Sequence, residues 1–271
     1  MASSPFFISP DELAGRLGSP DGPQIIDVRA AEVRAVQPDL PSARWVADSS
    51  GAAVAAVIDP ARPVVISCKA GLNRSQRTAA DLRAMGIPAR VLSGGSLAFA
   101  AAGHPVIPRA AVDAWGGPGR AWVTRRGPKI DRVACPWLIT RFLDPAARFL
   151  LTDADQVLAV AADIGGTAFD TPGAPIEHDG PRCSFDTLLD AIGLAGFAPL
   201  ADLAVLVRAA DTNDLTLSRE AAGYLAVSLG LSALAGEDDH AMLRHGFVVL
   251  DGLYAWITRA RTETHSWTHR A

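Results

Sequence analysis

A short β-branched run that ends in a cysteine constrains this chain more than any other feature. Residues 64–66 (Val-Val-Ile) have the composition of a buried strand, and Cys68 follows almost directly. A loop with Gly71 comes next, and a helical pattern then covers residues 75–85. This order places a thiol beside loop N–H groups and the positive end of a helix dipole. The sequence therefore predicts an anion-binding loop around a nucleophilic thiolate.

The segments around this loop indicate the class of fold. Further strands are predicted at residues 24–28 and 89–92, and a helix is predicted at residues 52–58. Strands that alternate with helices are typical of a parallel sheet covered by helices. We therefore expect an α/β domain over residues 1–107.

Three motifs of this region occur in the order found in rhodanese domains. They are Ile-Asp-Val-Arg at 26–29, Cys-Lys-Ala-Gly-Leu-Asn-Arg-Ser at 68–75 and Leu-Ser-Gly-Gly at 92–95. Residues 5–107 therefore resemble a rhodanese domain. The resemblance implies a sulfurtransferase that carries sulfur as a Cys68 persulfide and requires no cofactor.

The resemblance also implies roles for individual residues. Arg74 is expected to act with Cys68 in catalysis, and Asp27 and Arg29 are expected to brace the sheet and the loop. The remaining loop residues are the predicted contacts to a substrate or oxyanion: Lys69, Ala70, Gly71, Leu72, Asn73 and Ser75.

One departure from the rhodanese pattern leaves a second reaction class open. Sulfurtransferase rhodaneses usually have four residues between the cysteine and the arginine, whereas five residues separate Cys68 from Arg74 here. Cys-x5-Arg-Ser also resembles the signature of cysteine phosphatases and of some arsenate reductases. The alternative is therefore an enzyme whose Cys68 attacks an oxyanion such as phosphate, arsenate or chromate. Asp48 and Asp59 are its only upstream candidates for a general acid.

The chain changes character after the first 107 residues. Pro and Gly are concentrated over residues 103–120, so we place a linker at 108–120. Mostly helical patterns follow, and we expect an α+β, mostly helical domain over 121–258. Residues 259–271 are polar and are expected to form a flexible tail.

Three motifs of the second domain resemble those of chromate-resistance proteins. One is Lys-Ile-Asp-Arg-Val-Ala-Cys-Pro-Trp-Leu-Ile from Lys129, another is His-Asp-Gly-Pro-Arg-Cys-Ser-Phe-Asp from His178, and the third is Asp-Asp-His-Ala-Met-Leu from Asp238. The resemblance covers about residues 122–256. Joined to a rhodanese domain, it resembles proteins that combine sulfurtransferase and chromate-resistance domains.

The polar residues of this domain suggest several kinds of site. Guanidinium groups pair well with tetrahedral oxyanions. Imidazole and carboxylate suit zinc, iron or manganese, so a divalent metal held by His178, Asp211 and His240 is one hypothesis. Glu177 and His178 are alternatively a proton-transfer pair. The full set of candidates is Arg125, Lys129, Asp131, Arg132, Glu177, His178, Cys183, Asp211 and His240.

Composition narrows the cellular setting and the partners. The net charge of −4 gives no basic field for nucleic acid, and the first ten residues do not have the pattern of a signal peptide. Three widely spaced cysteines favour a reducing cytoplasm. We expect a small sulfur donor or oxyanion as substrate, a thiol as acceptor, and neither membrane nor nucleic acid as partner. A third hypothesis is a non-enzymatic sensor that binds chromate or sulfate through segment 124–141.

Overall fold

The computed structural model describes residues 4–264. Its N-terminal region contains five short strands with helices between them. In chain order these are β1 (Phe7–Ile8), α1 (Pro10–Ala14), β2 (Gln24–Asp27), α2 (Ala31–Ala35), β3 (Arg44–Trp45), α3 (Gly51–Ala55), β4 (Val64–Ser67), α4 (Asn73–Ala84), β5 (Ala89–Leu92) and α5 (Gly95–Ala101). The sheet order is β1-β5-β4-β2-β3, and all neighbouring strands are parallel. The predicted α/β fold is therefore confirmed.

β4 is the central strand, and all four of its residues are buried. A strand covered on both faces needs apolar side chains on both, which explains the continuous β-branched run. Val65 belongs to the core on one face of the sheet, whereas Val64 and Ile66 belong to the core on the other. This placement puts Cys68 at the carboxyl edge of the sheet, in the middle of the region.

The segment predicted as a linker, residues 108–120, contains a helix. α6 (Arg109–Trp115) follows Pro108 and ends at Gly116. Its Ala111 is buried, and Arg109 pairs with Asp39 of the N-terminal region at 3.2 Å. The helix forms here because proline costs no hydrogen bond at a helix start. Only the Gly-rich residues 116–119 form a short open connection.

Three parallel strands and a group of helices form the C-terminal region. The elements are β6 (Ala121–Arg125), α7 (Ile130–Leu138), β7 (Arg148–Thr152), α8 (Val157–Asp163), β8 (Thr167–Ala168), α9 (Ser184–Ala191), α10 (Ala198–Asp211), α11 (Ala221–Ala235) and α12 (Asp239–Ala255). A π-helical turn, Ile139–Leu143, continues α7, and a 3-10 turn, Leu215–Leu217, follows α10. The sheet order is β7-β6-β8. The expected mostly helical α+β region is confirmed.

The structure describes the predicted tail, residues 259–271, only as far as residue 264. A π-helical turn, Trp256–Ala260, continues α12 past the predicted domain end at 258. This turn includes Arg259 and Ala260, so the first two residues of the predicted tail are helical. Residues 265–271 lie outside the described residues. No helix among residues 4–264 combines the length and the apolar character needed to cross a bilayer.

The N- and C-terminal regions share one hydrophobic core. Phe142 and Tyr254 lie so close to Gly18 that a side chain there would collide with both rings. The backbone N–H of Ser42 donates to the Phe142 carbonyl at 2.7 Å. A cavity of about 670 Å³ lies at the same boundary, lined by residues of both regions. A division into separately folding domains at 108–120 stays a prediction, and these contacts oppose it.

A nicked form of the protein tests this division. Limited proteolysis should cut within residues 116–119, the Gly-rich connection whose residues 117 and 118 are exposed. Because the core crosses the cut, the two fragments should still elute together from a size-exclusion column in native buffer. They should separate only in denaturant. Elution as two folded fragments without denaturant would instead establish two independent domains.

Candidate functional site

Cys68 lies at the floor of the loop that joins β4 to α4. The residue is 7% exposed, and its Sγ lies 3.0 Å from the Ser75 Oγ. Burial raises the pKa of the Cys68 thiol. Hydrogen bonds from the Ser75 hydroxyl and from the N–H groups of Ser75, Ala70 and Leu72 outweigh burial, so the pKa falls below its usual value. This geometry favours the thiolate form of Cys68, as the sequence predicts, and the role of the thiolate stays a prediction.

Two glycines allow the loop to close around the thiol. Gly71 and Gly95 have φ angles of 68° and 63°, in the left-handed region. A Cβ on Gly95 would lie 2.2 Å from the Cys68 carbonyl oxygen, and one on Gly71 would lie 2.5 Å from the Leu92 carbonyl oxygen. The N–H of Ser96 donates to the Cys68 carbonyl at 2.9 Å. The start of α5 thus packs against the cysteine loop and holds the backbone of Cys68 in place.

The rim of the loop is open to solvent and carries its cationic side chains. Lys69, Leu72, Asn73 and Arg74 are exposed. The Arg74 guanidinium donates to the Ala47 carbonyl at 2.9 Å, so it is held by the segment between β3 and α3. The loop therefore combines a buried sulfur with an exposed positive rim.

Asp27 and Arg29 form a buried ion-pair network. Arg29 Nε donates to both Asp27 carboxylate oxygens, at 3.1 and 2.9 Å. Arg29 also donates to Asp39, which Arg34 contacts at 2.6 Å. Removing one partner of a buried pair typically costs about 3–5 kcal/mol. This geometry supports the bracing role that we expected for both residues.

Four side chains converge at the carboxyl edge of the small C-terminal sheet. His178 Nε2 lies 3.2 Å from Asp131 Oδ2, 3.5 Å from Asp170 Oδ1 and 3.2 Å from Asp211 Oδ2. Hydrogen bonding to Asp131 raises the pKa of His178 to about 9, with the charges of Asp211 and Asp170 adding to the effect. Burial, together with the charge of Asp131, raises the pKa of Asp211 to about 7. We call these four residues the Asp-His cluster.

The surroundings of the Asp-His cluster include some of the predicted candidates. Arg125 and Arg132 bind the outer oxygen of Asp170, Oδ2, at 3.2 and 3.0 Å. Cys183 is fully buried, and burial raises the pKa of its thiol well above the usual value. Its Sγ and carboxylate oxygens of Asp131 and Asp211 lie within 4.8 Å of one another.

Other candidates lie outside the Asp-His cluster. Glu177 accepts a hydrogen bond from the Gly173 N–H at 2.9 Å, so its carboxylate is engaged away from the predicted pairing with His178. Lys129 is exposed. His240 is exposed in the first turn of α12, and the structure does not bring it into the cluster. The carboxylate of its neighbour Asp239 accepts a hydrogen bond from the Gly127 N–H, in the loop after β6.

Asp170 was not predicted from the sequence, and Asp131 was predicted as a candidate without a ligand role. Asp170 follows the two-residue strand β8, which is too short to give a periodic signal. Its φ of 50° is unusual for a residue other than glycine. The position of Asp170 in the sequence could have indicated its role. A carboxylate just after a parallel strand lies at the carboxyl edge of the sheet, where ligands usually bind.

Comparison with known proteins identifies the second region. The family model described as "ChrB, C-terminal domain" matches residues 122–257, half of the chain. The chain belongs to this family. It is 39% identical over 143 residues to Protein ChrB of Cupriavidus metallidurans, an overlap of 53% of this chain and 42% of that protein. This chain thus spans less than half of the ChrB protein's length. The predicted chromate-resistance region is confirmed.

Solved structures give weaker matches. A rhodanese-like domain protein from Staphylococcus aureus is 29% identical, with 35% of this chain and 90% of that chain covered and a TM-score of 0.32. A thiosulfate sulfurtransferase from Pseudomonas aeruginosa is 25% identical, with 37% and 19% covered and a TM-score of 0.29. At such scores the matches carry no argument. The rhodanese-like assignment rests on the parallel sheet and on the cysteine loop at its carboxyl edge.

The loop geometry predicts how the three cysteines differ in reactivity. Iodoacetamide should alkylate Cys68 much faster than Cys135 and Cys183 at neutral pH, because burial raises the thiol pKa of the other two. The rate at Cys68 should rise with pH to a plateau, with a midpoint below the ordinary thiol value. Peptide mass spectrometry measures each site.

Two serine variants isolate the cause of this low midpoint. Ser75→Ala removes a hydroxyl that contacts Sγ, so the midpoint should move to higher pH. Ser96→Ala is the matched control, because the Ser96 Oγ is buried and has no hydrogen-bond partner within residues 4–264. Equal midpoints for the two variants would show that the Ser75 hydrogen bond does not stabilise the thiolate.

Proposed function

We propose that this chain is a sulfurtransferase that carries sulfur on Cys68 and acts in chromate resistance. One observation carries the proposal: the Sγ of a nearly buried thiol lies 3.0 Å from the Ser75 Oγ at the start of a helix, and the Ser75 hydroxyl and the N–H groups of Ser75, Ala70 and Leu72 lower the pKa of this thiol. Fixed donors of this kind stabilise the thiolate and a persulfide anion in the same place. The reaction needs no cofactor at this site.

The loop supports a two-step transfer. The Cys68 thiolate attacks the outer sulfur of a thiosulfonate such as thiosulfate. A sulfur–sulfur bond forms at Sγ as the donor's sulfur–sulfur bond breaks, and sulfite leaves with the electron pair. The terminal sulfur of the persulfide takes the place that the loop N–H groups face. A thiolate acceptor then attacks this sulfur and releases the Cys68 thiolate.

The charged rim fits an anionic donor. Lys69 and Arg74 are exposed beside the loop, where positive charge attracts an anion from solution. The buried floor admits one sulfur atom more readily than a hydrated tetrahedral group, because Cys68 is 7% exposed. We infer that the rim binds the sulfonate part of the donor and that the floor receives its sulfur.

The oxyanion-enzyme alternative has less support. It requires a protonated general acid near Cys68. A backbone hydrogen bond from Ser50, together with that residue's hydroxyl, lowers the pKa of Asp48, so Asp48 is ionised at neutral pH. Asp59 accepts a hydrogen bond from the Ala61 N–H in its own turn. The Asp48 carboxyl group therefore has no proton to give to a leaving group at neutral pH.

The sensor alternative is also weaker than it seemed from the sequence. Three cations of segment 124–141 are committed to carboxylates. Arg125 and Arg132 pair with Asp170, and Arg141 binds Asp251 through two hydrogen bonds of 2.9 and 2.8 Å. Guanidinium groups engaged in this way offer little to a free chromate or sulfate ion.

Incubation with thiosulfate tests the proposal. The intact protein should gain about 32 Da, the mass of one sulfur atom, and a reducing thiol should remove it. Cys68→Ser should abolish the gain. Cys183→Ser should retain the mass gain, because burial raises the pKa of the Cys183 thiol and keeps it protonated. An unmodified wild-type protein that hydrolyses an aryl phosphate through Cys68 would instead establish the oxyanion enzyme.

A further inference from the structure

We propose that the C-terminal region holds one divalent cation, bound by the carboxylates of Asp131, Asp170 and Asp211 and by Nε2 of His178. The site is separate from the Cys68 loop and has a chemistry of its own. It differs from the ligand set expected from the sequence by including Asp131 and Asp170 and leaving out His240.

The distances within the Asp-His cluster suit ligands of a single ion. Three carboxylate oxygens lie 3.2, 3.5 and 3.2 Å from His178 Nε2. Ligands that each lie about 2.0–2.2 Å from one ion are about 3–4 Å apart. The ligand atoms of Asp131, Asp170 and His178 all lie within 4.8 Å of one another, and those of Asp211 lie within the same distance of Asp131 and Cys183. Asp131 is thus common to both groups and lies at the centre of the site.

The donors come from four separate elements. Asp131 is the second residue of α7, Asp170 follows β8, His178 lies in the loop before α9, and Asp211 is the last residue of α10. Carboxylates that are taken out of water are costly unless a cation compensates them. Their convergence from four elements indicates that the fold is built around a positive charge at this point.

Counting hydrogen atoms shows that the cluster is incomplete by itself. His178 Nε2 carries at most one hydrogen, yet it has carboxylate oxygens of three residues around it. The Asp131 side chain is 3% exposed, and its carboxyl group lies in hydrogen-bonding range of that of Asp211. His178 is therefore one cation among three carboxyl groups, and the guanidinium groups of Arg125 and Arg132 bind Asp170 alone of the three. A divalent cation supplies the charge that Asp131 and Asp211 lack.

Outer contacts hold the carboxylates in place for this role. Arg125 and Arg132 bind the outer oxygen of Asp170, while its inner oxygen, Oδ1, accepts from the Ser184 hydroxyl at 2.9 Å. The Ser184 N–H donates to Asp131 Oδ2 at 3.2 Å. Hydrogen bonds of this kind orient first-shell ligands in metal sites.

The donor set selects the class of metal. Three oxygens and one imidazole favour a hard ion such as Mn²⁺ over a soft one. Cys183 lies close by, but its Sγ donates to Asp186 Oδ2 at 3.5 Å and the thiol is fully buried. His178 is 45% exposed, which gives the ion a route from solvent. We therefore expect the site to take Mn²⁺, and also Zn²⁺, whose affinity for such N/O donors is higher.

Titration of the full chain with Mn²⁺ tests the site. Protein purified without a polyhistidine tag and stripped with a chelator should bind one Mn²⁺ per chain in calorimetry and electron paramagnetic resonance. His178→Ala should weaken binding at least about tenfold. Loss of an outer-shell partner weakens metal binding about 10–100-fold, and loss of a direct ligand should cost no less. His240→Ala is the matched control and should bind as the wild type does. Cys68→Ser should also bind normally, which separates this site from sulfur transfer.

Thermal unfolding provides the second measurement. Mn²⁺ should raise the melting temperature of the wild type and of His240→Ala by equal amounts, and should raise that of His178→Ala by less at the same concentration, because a more weakly bound ligand stabilises the folded state less. Folded wild-type protein that shows no saturable Mn²⁺ binding would overturn the proposal. So would equal affinity in His178→Ala. Either result would leave His178 as a protonated partner of the three carboxylates.

Discussion

The hydrogen bonds that the loop after β4 directs at Cys68 are the interactions on which the proposed chemistry depends. Burial alone would keep this thiol protonated, as it does for Cys135 and Cys183. The difference arises because Cys68 ends the central strand of a parallel sheet at the start of a helix, where backbone N–H groups have no partner within the helix. Gly71 and Gly95 make this geometry possible, since a Cβ at either position would collide with backbone atoms.

The second region also has its candidate site at the carboxyl edge of a parallel sheet, but the chemical groups there are different. Its three parallel strands also place polar groups at their carboxyl edge, but the groups are carboxylates instead of N–H donors. The first edge therefore favours a negative charge on sulfur, and the second favours a positive charge among Asp131, Asp170 and Asp211. A shared hydrophobic core, which includes Leu13 and Phe142, joins the two regions.

Local features were predictable from the sequence, and features assembled over long distances were predictable only in part. The strand, loop and helix around Cys68 were predicted correctly because they lie within a short stretch of chain. The Asp-His cluster draws on residues from 131 to 211, so the sequence indicated two of its residues, His178 and Asp211, as candidate ligands and could not predict their geometry. His240 was proposed for its residue type, but the first turn of α12 leaves it exposed outside the cluster. The helix α6 was missed because Pro and Gly on both sides obscured its short pattern.

A crystal structure of the protein after exposure to thiosulfate would test the central claim most directly. Electron density should show one extra sulfur atom bonded to Cys68 Sγ, within hydrogen-bonding distance of the N–H groups of Ala70, Leu72 and Ser75. This result would place the persulfide where the thiolate is stabilised. An unmodified Sγ with an intact tetrahedral anion in the loop would contradict sulfur transfer and would favour the oxyanion enzyme.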